Sequence, residues 1–421
     1  MPRTPARQAQ AAATPPAQAP SIRESIALVS RQPIYGAGME VIAYELLYEQ
    51  DTHDATIQVV ADAALEIGLD RLAGGLPVHI NYPRELLASE SPLSVHPERV
   101  VIEVAMDASN DAALVEGVRA LRARGHRIAL EDYSALHEEP VRAADPALLE
   151  VVDIVKVSVS RHDRAQLERI AHPLLERGVT LFAEQVETVE QFEECARMGF
   201  RGFQGDFLHQ PQTFKAQRVP SSRISTLRLI SALQDPNFSL QEIETLVAQD
   251  ISLSYRVLRC INSSFFNLPR KVESIRQAIV ILGVDNLRQL ATLVALQGFE
   301  NRPASLFLTA MIRARMCEQL ARLAGAKDTG PYFITGLFSL LEVLTGIPAP
   351  ELFDQLPLSE AVERALIAQE GDMGAALKCA RAYERASWRR VAYGGLRPEL
   401  IRAAYVDAVF WAERAQALTR A

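Results

Sequence analysis

Seven short apolar runs in this chain each stop at side chains able to bind a metal or move a proton. These are Glu45, Asn81, Glu103, Glu131 with Asp132, Lys156, Glu184 with Glu187, and Gln204. A glutamate at a strand end is ordinarily a solvated loop acid or the partner of a helix N-terminus, so no single one of them points to chemistry. As a set they do. Carboxylates gathered in one cleft repel one another and lose hydration, and they stay ionised only with a cation among them, whether a divalent metal or a lysine ammonium. An oxygen-rich ligand set suits magnesium or manganese better than zinc. Two such ions activate a water and stabilise the leaving oxygen of a phosphodiester.

The elements that must position these groups are legible in the rhythm of the chain. Between residues 25 and 213, β-rich runs alternate with amphipathic segments: 26–35, 40–48, 77–82, 99–105, 127–133, 151–158, 179–187 and 202–208. In the segment 110–125, Leu114, Val118 and Leu121 recur at helical spacing and Gly125 stands where the helix should end. This alternation predicts a parallel sheet wrapped by helices, with a (β/α) barrel as the leading architecture. Barrels of this kind place active sites at the C-terminal ends of their strands, where the polar residues fall.

After about residue 214 strand signals cease, and 214–421 reads as an all-helical domain. "SLQE" at 239–242 and "SIRQ" at 274–277 have the form of capping boxes, and Gly283 ends the second stripe. "NLPR" (267–270) reads as a loop, and "KAQRVPSS" (215–222) as the domain boundary. All eight histidines precede residue 210, so the helical half has no histidine for a metal or an acid–base pair.

Composition narrows the function classes. A formal net charge of −8 argues against a general nucleic-acid binder. The four cysteines (Cys195, Cys260, Cys317, Cys379) form no C-x-x-C pair and read as buried free thiols of a cytoplasmic protein. Residues 1–24 are an Ala/Pro/Gln-rich tail expected to be disordered, with no secretory signal, and no run is apolar enough to span a membrane.

In order, the strand-end residues resemble the EAL-domain family of bacterial phosphodiesterases, which linearise cyclic di-GMP with two magnesium or manganese ions. "YELL" (44–47) resembles the Glu-Ala-Leu signature, "VHINY" contains its asparagine, and "VVIEVA" its next glutamate. "LEDYS" (130–134) stands at its Asp-Asp-Phe-Gly, Lys156 at its Lys-x-Asp, "AEQVET" (183–188) at its Ala-Glu-x-Val-Glu, and "GFQGDFLHQP" (202–211) at its closing Gln-Gly segment. The resemblance implies Glu45, Asn81, Glu103, Glu131, Asp132 and Glu184 as metal ligands, and Lys156, Glu184, Glu187 and Gln204 as the catalytic set of an active enzyme. The helical half resembles the HDOD domain through "DISLSYRVLRCINSSFF" (250–266) and "VESIRQAIVILGVDNLRQL" (272–290).

The chain departs from both patterns. Glu131 replaces an aspartate and is one methylene longer, and Ser158 replaces the Lys-x-Asp carboxylate near the second metal. Met106 replaces a loop-holding glutamate, and Glu49 stands where an arginine meets the nucleotide phosphate. Ser339 and Leu340 occupy the places of the His-Asp pair of metal-dependent HD relatives. Only 35 residues separate Glu45 from Asn81, an interval shorter than usual for the family, which leaves open whether the barrel has all eight strands. Three functions follow from the resemblance. The departures favour a non-catalytic signalling protein with a degenerate EAL domain, acting by nucleotide sensing or through a partner protein on its HDOD domain and needing no cofactor. The alternatives are a magnesium- or manganese-dependent phosphodiesterase yielding linear pGpG, and a non-catalytic cyclic di-GMP receptor. Homodimerisation is left open.

Overall fold

A computed structural model describes residues 28–48, 68–82, 97–105, 112–131, 146–209, 239–249, 251–262, 271–296, 303–354 and 358–420, with a few single positions between them. Glu49, Met106, Asp132, the tail 1–24, the 215–222 boundary and the 267–270 loop lie outside the described residues.

Eight strands close into a barrel in chain order: β1 (Val29–Tyr35), β2 (Val41–Tyr48), β3 (Val78–Asn81), β4 (Val100–Ala105), β5 (Arg127–Glu131), β6 (Ile154–Ser158), β7 (Thr180–Glu184) and β8 (Gly202–Phe203). One expectation needs correction, and one point the sequence left open is answered. The sheet is not wholly parallel, because β1 runs antiparallel to both β2 and β8. The barrel, left open in its strand count by the sequence, has all eight strands. Both outcomes have one cause: β1 and β2 are joined by residues 36–40, a turn closed by Gly36 N–H donating to the Glu40 carbonyl at 2.8 Å. A connection this short makes a hairpin and cannot make a crossover. The hairpin supplies two strands without an intervening helix, so the short Glu45–Asn81 interval costs the barrel no strand.

Strand alternation builds the barrel interior in layers. Ile34, Ala43, Val101, Ala129, Ile154 and Phe182 form a buried apolar layer of their own. Each lies two positions from a polar residue of the same strand, namely Gln32, Glu45, Glu103, Glu131, Lys156 and Glu184. The apolar layer is therefore the floor on which the polar layer stands. Outside, the barrel is covered by α1 (Leu69–Ala73), α2 (Ala112–Ala123), α3 (Pro146–Leu149), α4 (Arg164–Glu176) and α5 (Val189–Met198). In α2, Leu114, Val115, Val118 and Leu121 are buried, and Gly125 follows the helix in the left-handed region at φ 93°. Asp163 with Gln166 and Thr188 with Gln191 close capping boxes on α4 and α5.

The second half is helical: α6 (Leu240–Gln249), α7 (Ile251–Ile261), α8 (Ile275–Leu282), α9 (Val284–Leu296), α10 (Ala304–Leu323), α11 (Gly330–Phe338), α12 (Leu341–Thr345), α13 (Ala349–Phe353), α14 (Glu360–Ile367), α15 (Gly371–Glu384) and α16 (Pro398–Arg420). Ser239 and Glu242 form the expected reciprocal box. At α8 only half of it forms: Ser274 Oγ accepts from Gln277 N–H, but the Gln277 side chain accepts from Glu273 N–H instead of Ser274. Gly336 lets α11 lie against α10, since a Cβ there would overlap the Arg313 carbonyl oxygen. Cys195, Cys317 and Cys379 are buried free thiols. Among the described residues, no helix is long and apolar enough to cross a membrane.

The last helices return to the barrel and take the place of a covering helix over the β1–β2 hairpin. Tyr383 Oη–H donates to the Val29 carbonyl at 3.1 Å, and Arg31 pairs with Glu413 at 2.8 Å while lying over the Tyr44 ring. Tyr405 Oη lies 3.4 Å from both Ser30 Oγ and Arg31 N. A second point of contact is the loop after β8, where Arg385 donates to Asp206 at 3.1 Å. His209 sits beside it, and burial together with the nearby Arg313 guanidinium depresses its imidazole to about 4, with Arg385 acting the same way and Asp206 opposing. The sign follows from an unperturbed imidazole of about 6.5. Between about pH 6.5 and 4 the unfolded chain takes up a proton that the folded chain refuses, so stability falls with acid. His209 alone contributes a loss of about 2 kcal/mol between pH 7 and pH 5. Buried His79, depressed to about 3, acts in the same direction. Urea unfolding at the two pH values, compared with His209→Gln, isolates the His209 share; an unchanged pH dependence in the variant contradicts it.

Candidate active site

The polar layer converges on Lys156. Its Nζ, fully buried on β6, lies 2.9 Å from Glu45, 2.7 Å from Glu103, 3.4 Å from Glu131 and 2.9 Å from Glu184. Gln204 Nε2–H donates to Glu45 Oε2 at 2.7 Å and to Gln32 Oε1 at 2.9 Å. The Asn81 amide lies between Glu45 and Glu131, and with its NH2 turned toward Glu131 it donates to Oε1 at 3.1 Å. Below this layer, His79 Nδ1 is 2.7 Å from Glu103 Oε1 and its ring leans on Phe182.

Four carboxylates thus face one ammonium, and the titration of the group reflects that imbalance. Burial opposes the charge on Lys156, but the surrounding carboxylates outweigh it and hold the ammonium well above its ordinary value. Burial raises Glu45 as well, and there Lys156 and Gln204 prevail, leaving it below the usual carboxylate range. Glu103 is not so compensated: burial lifts it to about 7 despite Lys156. Burial and the adjacent Glu103 lift Glu131 to about 9. Burial also raises Glu184. One lysine is too little positive charge for this cluster.

The residues fit a divalent cation on two further grounds. Oxygens of Glu45, Glu131 and Glu184 lie within 4.8 Å of one another, the only such grouping of potential ligands among the described residues. Glu103 Oε2 and Gln204 Oε1 are buried acceptors that no hydrogen-bond donor reaches. The neighbouring position is different. Ser158, fully buried at the end of β6, donates to Gln185 Oε1 at 2.8 Å, and Ser160 donates to the same oxygen. Gln185 holds a positive φ of 53° at the end of β7, and the two hydroxyls anchor its side chain. Among the described residues, this position is lined by hydroxyls and an amide in place of a carboxylate.

Of the residues singled out in the sequence, the structure brings together Glu45, Asn81, Glu103, Glu131, Lys156, Glu184 and Gln204. Glu187 stands apart: it is exposed in the loop after β7, with its backbone N–H donating to Gln191. Gln32 and His79 belong to the site but carried no strand-end signal. Alternation could have found His79, two residues before Asn81. Gln32 needed the antiparallel register that sets it opposite Glu45.

In the helical half, Ser339 Oγ donates to the Gly336 carbonyl at 2.7 Å and accepts from Arg313 at 3.2 Å. Arg313 grips both oxygens of Glu384 at 2.9 and 2.8 Å, and Leu340 is buried among apolar side chains. An ion pair and a leucine fill the place where a His-Asp pair would hold metal.

Comparison with known proteins agrees with this geometry. Residues 84–211 match the EAL domain and residues 219–377 the HDOD domain. The EAL match begins past Glu45 and Asn81, which the barrel nevertheless delivers to the site. Cyclic di-GMP phosphodiesterase CdgJ of Vibrio cholerae serotype O1 is 30% identical over 379 residues, covering 86% of each chain. Bacillus subtilis YuxH, an uncharacterized protein, is 28% identical over 398 residues, 91% of this chain and 97% of that one. A solved EAL domain protein from Listeria monocytogenes EGD-e is 20% identical with a TM-score of 0.34, covering 44% of this chain and 88% of its own. An EAL barrel built around Lys156 and an HDOD helical domain follow one another in a single polypeptide, and the chain belongs to the EAL family in its HDOD-linked form.

Proposed function

We propose that the protein acts in cyclic di-GMP signalling, holding one divalent cation in its barrel and binding the nucleotide there with little or no hydrolysis. The observation that carries this reading is the asymmetry of the site. The carboxylate cluster around Lys156 is intact and under-compensated, while the adjoining position of Ser158, Gln185 and Ser160 is neutral. Glu45, Asn81, Glu131 and Glu184 would hold magnesium or manganese, with Asp132 as the further ligand that family resemblance supplies. When bound, the ion supplies electrostatic stabilisation to a phosphate oxygen. The chain's own groups do the rest: Lys156 neutralises the carboxylates and Gln204 fixes the Glu45 oxygen.

Active hydrolysis is the second reading, favoured by the unbroken network of Glu45, Glu103, Lys156, Glu184 and Gln204 and by the phosphodiesterase named among the relatives. Two features weigh against it. The Glu131 carboxyl is displaced outward by a methylene in a site whose groups need placement within about 0.5 Å. The second ion has no carboxylate at Ser158. Binding and product formation, measured together on metal-loaded protein, separate the readings.

For the HDOD domain the proposed role is partner recognition in the cytoplasm. Supporting it, Leu240, Tyr255, Val280 and Ile281 expose apolar surface on α6, α7 and α8.

A further inference from the structure

Gln204 is held from two sides by contacts that originate in the helical domain. From one side, Arg385 at the end of α15 grips Asp206, two residues beyond Gln204. The intervening loop has no slack. Gly205 adopts φ 151°, and a Cβ there would overlap the Val186 carbonyl oxygen. Gln204 O accepts from Val186 N–H at 3.0 Å, and Phe207 N–H donates to Val186 O at 3.1 Å. A displacement of Asp206 is therefore passed to Gln204 and to Val186, two residues from Glu184. From the other side, Gln32 accepts from Gln204 at 2.9 Å. Its strand neighbours are gripped by α15 and α16 through Tyr383 on Val29, Tyr405 on Arg31 N, and Glu413 on Arg31. Both routes end on the same hydrogen bond, Gln204 to Glu45 at 2.7 Å.

We infer that the helical domain positions the barrel's cation site, with Arg385 and Gln32 as positioning residues that act through Gln204 on the Glu45 carboxylate. The consequence is a two-way coupling. Whatever shifts α15 and α16 relative to β1 changes cation affinity, and loading the site tightens the interface between the domains. The inference rests on the proposed cation site, and its test separates the two.

Arg385 and Asp206 are 62% and 47% exposed, so reversing their charges leaves the core untouched. In full-length protein, Arg385→Asp is expected to weaken Mn2+ binding about fivefold by titration. The swapped pair Arg385→Asp with Asp206→Arg is expected to restore affinity to within about twofold. Hydrogen exchange at the β2 amides Glu45–Tyr48, which neither residue touches, should quicken in the single variant and recover in the pair. Wild-type affinity in Arg385→Asp, or a loss that the swapped pair does not recover, overturns the coupling. If the wild type binds no Mn2+, the proposed cation site is wrong, and the exchange pattern alone decides the inference: β2 exchange unchanged in Arg385→Asp overturns it.

Discussion

Lys156→Met should unfold in markedly less urea than wild type, with a loss of about 3–5 kcal/mol, the range for removing one partner of a buried ion pair. The methionine keeps the apolar stem and removes the ammonium that four carboxylates face, two of them buried and two partly exposed. Part of the loss is expected to return on adding Mn2+, because a ligand that binds only the folded chain stabilises it by mass action, by about 4 kcal/mol at a thousandfold excess over Kd. The rescue is the informative part. Any buried lysine destabilises when removed, but only a cation site regains stability from a divalent ion. Urea midpoints with Mn2+ and with chelator read both quantities; equal midpoints under the two conditions contradict the assignment.

The second large effect is a gain. Glu131→Asp retracts a carboxylate by one methylene, and Ser158→Asp restores charge at the neutral position beside Gln185. The double variant is expected to hydrolyse cyclic di-GMP about a hundredfold faster than wild type, taking each change as about tenfold or 1.4 kcal/mol of barrel-site stabilisation. Adding a carboxylate at buried Ser158 also sets it against the Gln185 carbonyl oxygen, so the amide must turn to donate, and a thermal melt guards against a merely unfolded protein. Product formation resolved over time makes the comparison. A folded double variant no faster than wild type shows that these two positions do not limit turnover.

Most of the site was legible because strand alternation is a local property. Glu45, Glu103, Lys156 and Glu184 each end or interrupt a short apolar run, and a two-residue period sends them inward above Ala43, Val101, Ile154 and Phe182. The antiparallel first strand was not legible. "IALVSRQPIY" looks like any other β-rich run, and only the brevity of the 36–40 turn distinguishes a hairpin from a crossover. Glu187 was expected among the catalytic groups, yet it lies past the left-handed Gln185 and turns to solvent. Least legible was the grip of the last helices on β1. Tyr383 and Tyr405 meet strand residues more than 350 positions earlier, and the helical period that places them says nothing of what they will touch.

The central claim, nucleotide binding with little or no turnover, is tested most directly by titrating cyclic di-GMP into full-length, Mn2+-loaded protein while following both heat and linear product. The account predicts saturable binding at micromolar ligand that chelation abolishes, with product accumulating far more slowly than the ordinary enzymatic range of about 1 s⁻¹ and above. No heat at high micromolar ligand, or turnover within that range that disappears in Glu184→Ala, contradicts it.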